Sequence, residues 1–303
     1  MRAHPIRRTA AGGEILFLSL TVLFSAFSQE VTKREISRTK EKELAVSLSA
    51  SFGTLVVGKG EANKIVVAEY WRDENEKQRL EMSYDIAHDR GDLDIELTES
   101  NKFRGRDSWV TSKEEHRSHR GDYEDRHLTA RFTDAIPIAF NISLGAGKGD
   151  FDFSGLQVKH LKISAGASSA DLRCDEVNST ACDDVIIESG VSKFSAENLC
   201  NLNFRKLKFS GGVGSYKLDF GGTLQQSAVA SVEVGLGAVT VYVPHSIPAR
   251  IVYDESWFSS IDLDESFVRT KKSVYETEDF ARSDKTLTIK IESGLGSIRV
   301  KSR

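Results

Sequence analysis

Residues 292–300 read ESGLGSIRV, and close copies of this phrase recur along the chain. Earlier versions read EVGLGAVTV from Glu233, SGGVGSYKL from Ser210 and ESGVSKFSA from Glu188. Two further copies, ISLGAGKGDFDF and ISAGASSADLRC, have Gly145 and Gly166 as their first glycines. A phrase that recurs at a regular period indicates a repeat architecture, in which each copy is one structural unit.

The first glycines of the six phrases are separated by 21, 24, 22, 23 and 59 residues. Apolar residues alternate on both sides of the glycines, which is typical of strands with one buried face. Glycine at a corner permits a positive φ or a close approach of two backbones, which a β-carbon obstructs. We therefore expect structural corners at Gly145, Gly147, Gly166, Gly190, Gly212, Gly214, Gly235, Gly237, Gly294 and Gly296.

The pattern predicts an all-β protein, a β-solenoid-like stack of coils of about 22 residues with two short strands in each coil. Leucine-rich repeats have a similar period, but the phrase L-x-x-L-x-L-x-x-N is absent and no helical pattern recurs. A sandwich or barrel of meanders is the structural alternative.

Composition changes divide the chain into segments. Pro244 and Pro248 precede an excursion over residues 246–288, because proline cannot continue a central strand, and its aromatic residues could cover the open end of the stack. The segments are a signal peptide at 1–28, a charged and mobile linker at 29–43, a small N-terminal β-region at 44–99, a charged loop at 100–132 and the solenoid repeat domain at 133–303.

Residues 1–28 have the features of a secretory signal peptide. Three arginines form a basic start, Ile15 to Phe27 is free of charge, and Ala26 and Ser28 form a small-x-small cleavage pattern. The apolar run is shorter than the roughly 20 residues that span a membrane. We expect an exported protein, periplasmic or on the cell surface, with a retained anchor as the alternative.

Composition and charge limit the partners. The chain of 303 residues is 39% hydrophobic and 28% charged, as expected of a folded domain with a soluble surface. Removing residues 1–28 changes the formal net charge from −4 to −6. An acidic protein is unsuited to nucleic acid or to an anionic membrane surface as its main partner.

Three long phrases resemble the toast-rack domain proteins, which are related to the C-terminal domain of LiaF-type cell-envelope stress regulators. They are IPIAFNISLGAGKGDFDFSGLQVKHLKISAGAS, GGVGSYKLDFGG and VGLGAVTVYVP with the IPARI that follows it. The final LTIKIESGLGSIRV is similar to the closing strand pair of that group, so the resemblance covers roughly residues 40–303. It implies a β-solenoid-like fold, an envelope context and no enzymatic activity, and it brings no catalytic residues. The chain departs from LiaF-type proteins in lacking a bundle of transmembrane helices before the domain.

Asp150 and Asp171 follow their corners at equivalent positions, and Asp152 lies two residues further on. Equivalent positions of a solenoid stack about 4.8 Å apart. Paired carboxylates at that distance could hold Ca²⁺ or share a proton as an acid–base pair. Polar residues that alternate outward are also what a half-buried strand requires. The three aspartates are therefore weak candidates, and the favoured interpretation is a solvated charged face without a metal.

Other motifs are weaker still. Three histidines between residues 116 and 127 lie among arginines, whose charge opposes a bound zinc ion. Arg-Gly-Asp occurs at 90–92 and at 120–122, and Gly91 is expected at a hairpin corner. Asn178 begins an N-glycosylation sequon, which predicts a loop.

Three cysteines lie close together in the sequence. Cys174, Cys182 and Cys200 lack the C-x-x-C spacing of a zinc site. In an exported protein one pair could form a disulfide, but Cys174 could equally be a small core residue.

These observations predict a non-catalytic, exported scaffold or interaction protein of the bacterial envelope without a cofactor, and a link to the envelope stress response is the expected context. Trp257, Phe258 and Phe267 are candidate partner-binding residues, although packing on the last coil is the favoured interpretation. Protein or glycan components of the envelope are the expected partners, and the open ends of the stack could pair two copies of the chain. The alternative functions are a carbohydrate-binding or carbohydrate-active β-helix that uses Asp150 and Asp171, and a sensor whose 100–132 segment binds a ligand.

Overall fold

The computed structural model describes residues 17–18, 29–73, 78–99, 126–253 and 259–303. Within these ranges the protein is built from β-strands and two short 3₁₀ helices, at Leu199–Leu202 and Phe280–Arg282, and has no α-helix. None of the described helices is long and apolar enough to cross a membrane. The strands are β1 (Phe17–Leu18), β2 (Gln29–Ser37), β3 (Glu43–Lys59), β4 (Lys64–Asp73), β5 (Gln78–Ala87), β6 (Arg90–Glu99), β7 (His127–Phe132), β8 (Ile138–Asp152), β9 (Val158–Arg173), β10 (Cys182–Glu197), β11 (Phe204–Asp219), β12 (Ala228–Val243), β13 (Ala249–Tyr253), β14 (Ser259–Leu263), β15 (Val268–Lys271), β16 (Val274–Glu276) and β17 (Leu287–Ser302).

Seven long strands form the body of the molecule. They pair in parallel in the order β3, β8, β9, β10, β11, β12, β17. The all-β, solenoid-like stack expected from the repeats is confirmed. The expectation of two short strands in each coil is wrong, because one strand of 15 to 17 residues runs through each corner in the same register on both sides.

Each long strand is bent at its corner, so that its two halves enclose the core between them. In β11, Phe209 lies before the corner and Tyr216 after it, yet the two ring centroids are 5.1 Å apart. Phe194 of β10 packs on Phe209 from the neighbouring coil, with 5.8 Å between centroids. The alternating apolar residues of both halves therefore meet in one interior, and each coil buries its apolar face against its neighbours.

The stack ends in the same way at both sides, with two separate strands in place of a bent one. At the N-terminal side, the first half of β3 pairs with β6 and the second half pairs with β7. At the C-terminal side, the first half of β17 pairs with β13 and the second half with β14. Antiparallel partners extend these end strands: β5 on β6, then β4 and β2 on β7, and β16 and β15 on β13.

Two segments that were expected to be loops contain strands. Residues 29–37 of the charged linker form β2, where Ile36 is buried and Lys33 forms an ion pair with Glu69 at 3.3 Å. Residues 127–132 of the charged loop form β7, whose apolar side chains are buried. In β7 apolar core residues alternate with more polar ones, whereas in β2 only Ile36 is buried among the described side chains and the strand is held by its pairing with β4, so charge density alone was misleading. Residues 100–125 lie outside the described residues. Within 1–28 only Phe17 and Leu18 are described, paired with Ile36 and Glu35.

Asparagine side chains hold the segments that connect one coil to the next. Asn178 donates through Nδ2 to the carbonyl oxygens of Val158, at 2.7 Å, and Leu202, at 3.0 Å, which belong to the coils on either side. Asn201 donates to the carbonyl oxygen of Cys174 at 2.9 Å. Asn178 is 3% exposed and its amide is fully used in these bonds, so the sequon marks a structural residue and not a glycan attachment site.

Candidate functional site

The glycines of the repeated phrase form two columns that run along the corner of the stack. In the first column, a Cβ on any glycine would lie 2.2 to 3.0 Å from the carbonyl oxygen of the equivalent residue in the preceding coil. In the second column the corresponding distance is 1.7 to 2.0 Å. Real Cβ atoms do not approach backbone oxygen so closely. The first column contains Gly145, Gly166, Gly190, Gly212, Gly235 and Gly294, and the second contains Gly147, Gly214, Gly237 and Gly296.

Between the two columns lies an exposed row of aliphatic side chains, which we call the corner ridge. It consists of Val191, Val213, Leu236 and Leu295, which are directly opposite one another in successive strands. Their exposed fractions are 67%, 46%, 48% and 54%. The repeated phrase indicates the glycines on either side of these residues but not the ridge itself. The signal that could have found them is a branched apolar residue inside a Gly-x-Gly or Gly-x-Ser turn, where a polar residue is the usual choice.

Beside the corner ridge lies a groove of about 620 Å³, which we call the corner groove. Its floor is the glycine column and the backbone just before it, from the strands β11, β12 and β17. Its lining residues are Ser210, Gly211, Gly212, Glu233, Val234, Gly235, Glu292, Ser293 and Gly294.

The wall of the groove opposite the ridge is acidic. Glu188, Ser210, Glu233 and Glu292 stack in one column across four strands. Lysines on the side away from the groove pair with two of these glutamates: Lys162 with Glu188 at 3.6 Å and Lys208 with Glu233 at 3.2 Å. Among the described residues no ion pair involves Glu292.

The aspartate candidates lie elsewhere, on the outer face formed by the second halves of the strands. Asp150 and Asp171 are opposite one another in β8 and β9. The Arg173 guanidinium lies 3.6 Å from Asp150 and 2.9 Å from Asp152, where a bound cation would have to sit. In the described part of the chain no three or more His, Cys, Asp or Glu residues are grouped to hold a metal ion.

Asp152 is held in its charged form by its neighbours. Burial acts to raise the pKa of this carboxyl, but hydrogen bonds from Ser154 and Arg173 outweigh it, and the pKa is lowered. The groove around these residues, of about 500 Å³, is lined by both signs of charge. It resembles a paired salt-bridge surface more than an acid–base site, which needs a carboxyl with a raised pKa.

Of the aromatic candidates, only Phe267 lies within the described residues. It is 6% exposed and belongs to the hydrophobic core, so it offers no surface to a partner. Trp257 and Phe258 lie outside the described residues, between β13 and β14.

The remaining motifs have structural positions. Gly91 lies inside β6 and not at the hairpin corner, which is formed by His88 and Asp89 with positive φ values of 51° and 66°. His127 packs edge-on against Trp71, with 5.5 Å between ring centroids, and burial lowers its pKa. His116, His119 and the second Arg-Gly-Asp lie outside the described residues.

The three cysteines are free and buried. Burial raises the pKa of each of Cys174, Cys182 and Cys200 to about 12. A thiol that remains protonated at neutral pH is a poor nucleophile and a poor metal ligand. These residues act as small core side chains in this fold.

Several solved structures are similar to this chain at low identity. A candidate cell adhesion protein from Clostridium sporogenes is 19% identical and matches over 91% of this chain and 100% of its own, with a TM-score of 0.45. A candidate adhesin from Bacteroides fragilis is 9% identical over 90% of this chain and 97% of its own, with a TM-score of 0.33. These scores are too low to carry an argument. A search of curated proteins found no match.

Two family models match adjoining parts of the sequence. The C-terminal domain of LiaF, described as a cell wall-active antibiotics response protein, matches residues 195–300. The N-terminal domain of toast_rack, DUF2154, matches residues 25–197, more than half of the chain and all of its first four long strands. The glycine-cornered coils and these matches confirm the resemblance seen in the sequence, and the chain belongs to the toast-rack family.

Proposed function

We propose that this protein is a non-catalytic interaction module of the bacterial cell envelope, which binds a partner through the corner ridge and corner groove. The observation that carries the proposal is the ridge itself. Contiguous apolar patches on a soluble protein are often interaction sites. Leaving a Val or Leu side chain half exposed forgoes roughly 1 kcal/mol of burial free energy.

The fold does not need large aliphatic residues at these positions. The equivalent residues in β8 and β9 are Ala146 and Ala167, which stack in the same column. Alanine therefore satisfies the corner geometry. The change from alanine to Val191, Val213, Leu236 and Leu295 along the stack is better explained by a partner than by packing.

The envelope context is supported by two independent features of the chain. Residues 1–28 have the pattern of a secretory signal peptide. Residues 195–300 match the LiaF C-terminal model, whose description refers to cell wall-active antibiotics. We propose that the protein is exported and that its binding contributes to an envelope stress response.

The proposal is tested by replacing Leu236 with a photo-crosslinking amino acid in the full chain and irradiating intact bacteria. Cell fractionation should place the protein outside the cytoplasm, and crosslinking should yield a discrete adduct with an envelope component. The matched control carries the same amino acid at Val229, which is exposed at the start of β12, seven residues before Leu236. A cytoplasmic protein, or the same adducts from both positions, would sink the proposal.

The carbohydrate alternative rests on Asp150 and Asp171, and the position of Arg173 counts against it. It predicts that D150A and D171A lose polysaccharide binding or Ca²⁺-dependent stability. We expect both variants to retain wild-type behaviour in a polysaccharide pull-down and in thermal melts with and without Ca²⁺.

A further inference from the structure

We infer that the corner groove binds an amphipathic α-helix of a partner protein, with aliphatic residues facing the ridge and lysine or arginine facing the glutamate column. The inference rests on the proposed function and names the kind of partner that the same surface takes. Helix-in-groove docking is a recurrent mode of peptide recognition.

The shape of the groove suits a helix that rests on its two rims. The glutamate column and the ridge are three residues apart along each strand, as with Glu233 and Leu236, which is at most about 10 Å of backbone because the strand bends at the corner. An α-helix with its side chains is about 10–12 Å across. Between the two walls the first column of glycines leaves the floor without side chains, so a helix can approach the backbone. The glycines that permit close stacking of coils therefore also open the groove.

The spacing of the walls along the stack also favours a helix over an extended peptide. Successive ridge residues are one strand apart, about 4.8 Å. A helix presents about one residue per turn of about 5.4 Å along its contact face. Over the three steps from Val191 to Leu295, the mismatch between these residues and the ridge side chains therefore grows to roughly 2 Å. An extended peptide places same-side residues roughly 6.7 Å apart, so over the same distance its mismatch with the ridge grows to roughly 6 Å, which exceeds the spacing between two strands. Only the helix keeps one contact per coil.

The charge of the wall selects a basic flank. Glu188 and Glu233 are paired with lysines on their far side, and no described ion pair involves Glu292. A partner lysine or arginine near Glu292 would gain a pairing that the free protein lacks. The same acidic wall disfavours an anionic lipid surface.

A second copy of this chain is a poorer occupant. A stable interface buries about 800 Å² on each partner. The convex ridge offers only four partly exposed side chains to an identical ridge. A helix lying in the groove contacts floor and both walls, and so buries more surface per residue.

The test uses fluorescence anisotropy of labelled 14-residue peptides with the full chain. The probe peptide has leucine along one helical face and lysine on one flank. Three comparison peptides have glutamate in place of the lysines, a central proline that breaks the helix, or strict Leu-Lys alternation that favours an extended chain. We expect the probe to bind at least tenfold more tightly than each of the three.

Variants locate the site. L236A/L295A should weaken probe binding at least fivefold, and it keeps the fold because alanine is found in the same column. E233K/E292K should weaken binding to a similar extent and reverse the preference for lysine over glutamate in the peptide. The controls V229S and E278K alter exposed residues that do not line the groove, and should bind the probe as the wild type does.

Equal binding of all four peptides, or unchanged binding by L236A/L295A, overturns the inference, as does tighter binding of the alternating peptide. Ridge-dependent binding to anionic vesicles in place of the peptide, or ridge-dependent dimerisation in sedimentation, assigns the surface to a lipid or to a second copy and also overturns it. In each case a specific adduct at Leu236 in cells would leave the proposed function standing, so the two failures are distinguishable.

Discussion

At the scale of single residues, the fold depends on the absence of side chains at the corner. Gly237 and Gly296 have φ values of 140° and 150°, which residues with a Cβ rarely adopt. A Cβ on Gly237 would also lie 1.9 Å from the carbonyl oxygen of Gly214. The backbone strain and the overlap with the carbonyl oxygen would both come from the added Cβ, so moving a neighbouring side chain would not relieve them.

We expect Gly237→Ala to lower the free energy of unfolding by about 2–5 kcal/mol, since strained backbone and overpacking each cost about 1–3 kcal/mol. Chemical denaturation measures the change. Gly58→Ala is the matched control, because a Cβ at Gly58 has no atom within 4 Å. Equal stability of the two variants would contradict the conclusion that the glycine columns leave no room for a Cβ.

A buried carboxylate at Glu41 links stability to pH. It accepts hydrogen bonds from Tyr84 Oη at 2.7 Å and from the backbone N–H of Thr39 at 2.8 Å. Burial acts to raise the pKa of Glu41, but these bonds outweigh it and lower the pKa. Its stabilising contribution is therefore present above the unfolded pKa, near 4.5, and is lost as the pH falls through the folded pKa.

Tyr84→Phe removes one of these bonds, so we expect a loss of about 1–3 kcal/mol at neutral pH. The pKa of Glu41 should rise, and acid unfolding should begin at a higher pH than in the wild type. Circular dichroism between pH 7 and pH 2 follows both effects. The control is Tyr275→Phe in β16, and identical acid transitions in the two variants would refute the role of Tyr84.

At the scale of elements, asparagine side chains hold the segments that connect β9 to β10 and β10 to β11. Asn178 lies between two coils and accepts hydrogen bonds at Oδ1 from the N–H groups of Val158 and Thr180, both at 3.1 Å. With its two donated bonds, the side chain satisfies backbone groups that have no strand partner. Asparagine side chains thus bond to backbone carbonyl oxygens in the same way between successive coils, through Asn178, Asn201 and Asn203.

We expect Asn178→Ala to cost about 2–4 kcal/mol, because several buried backbone groups lose their partners together. The effect should appear as faster hydrogen exchange in the segments on both sides of residue 178 and as a lower midpoint of denaturation. Asn141→Ala, on the exposed face of β8, is the control. A change confined to residues near 178, with no effect in the neighbouring coils, would contradict the conclusion that Asn178 stabilises the coils on both sides.

At the scale of the whole molecule, an ion pair connects β11 with the residue that follows β17. Asp219 is 1% exposed and forms an ion pair with Arg303, and it also accepts a hydrogen bond from the N–H of Gly221 at 2.9 Å. Burial raises the pKa of Asp219, and Arg303 acts against that rise. The carboxyl therefore favours the folded state below its unfolded pKa, and the contribution is lost as the pH rises through the folded pKa.

Arg303→Ala leaves the Asp219 carboxylate without its cation, so we expect a loss of about 1–3 kcal/mol at pH 7 that becomes smaller towards pH 4. Thermal melts across this range measure it. The double variant R303A/D219N should recover part of the stability, because the amide keeps an acceptor for Gly221 without a buried charge. The control Lys301→Ala changes an exposed residue of β17, and a pH-independent loss in R303A would contradict the assignment.

How far the sequence predicts the structure can be argued from particular residues. The recurrence of Gly-x-Gly phrases between alternating apolar residues was enough to predict the stack of coils and the positions of its corners. The strands β2 and β7 were not predicted, because Ile36 is the only core residue described in β2, and β7 lies at the end of a highly charged segment. Asp150 and Asp171 were placed correctly side by side, but nothing local to them indicated that Arg173 would lie between Asp150 and Asp152.

The sequence by itself determined which residues point inward, since strand alternation is a local property, and where the backbone needs glycine, since the repeats align those positions. Only the tertiary structure decided which outward residues become neighbours. Val191 and Leu295 are 104 positions apart in the numbering, yet they belong to one ridge, because parallel stacking brings each coil into register with the next. The pairing of Asp219 with Arg303 arises in the same way, from strand order and not from any pattern in the chain.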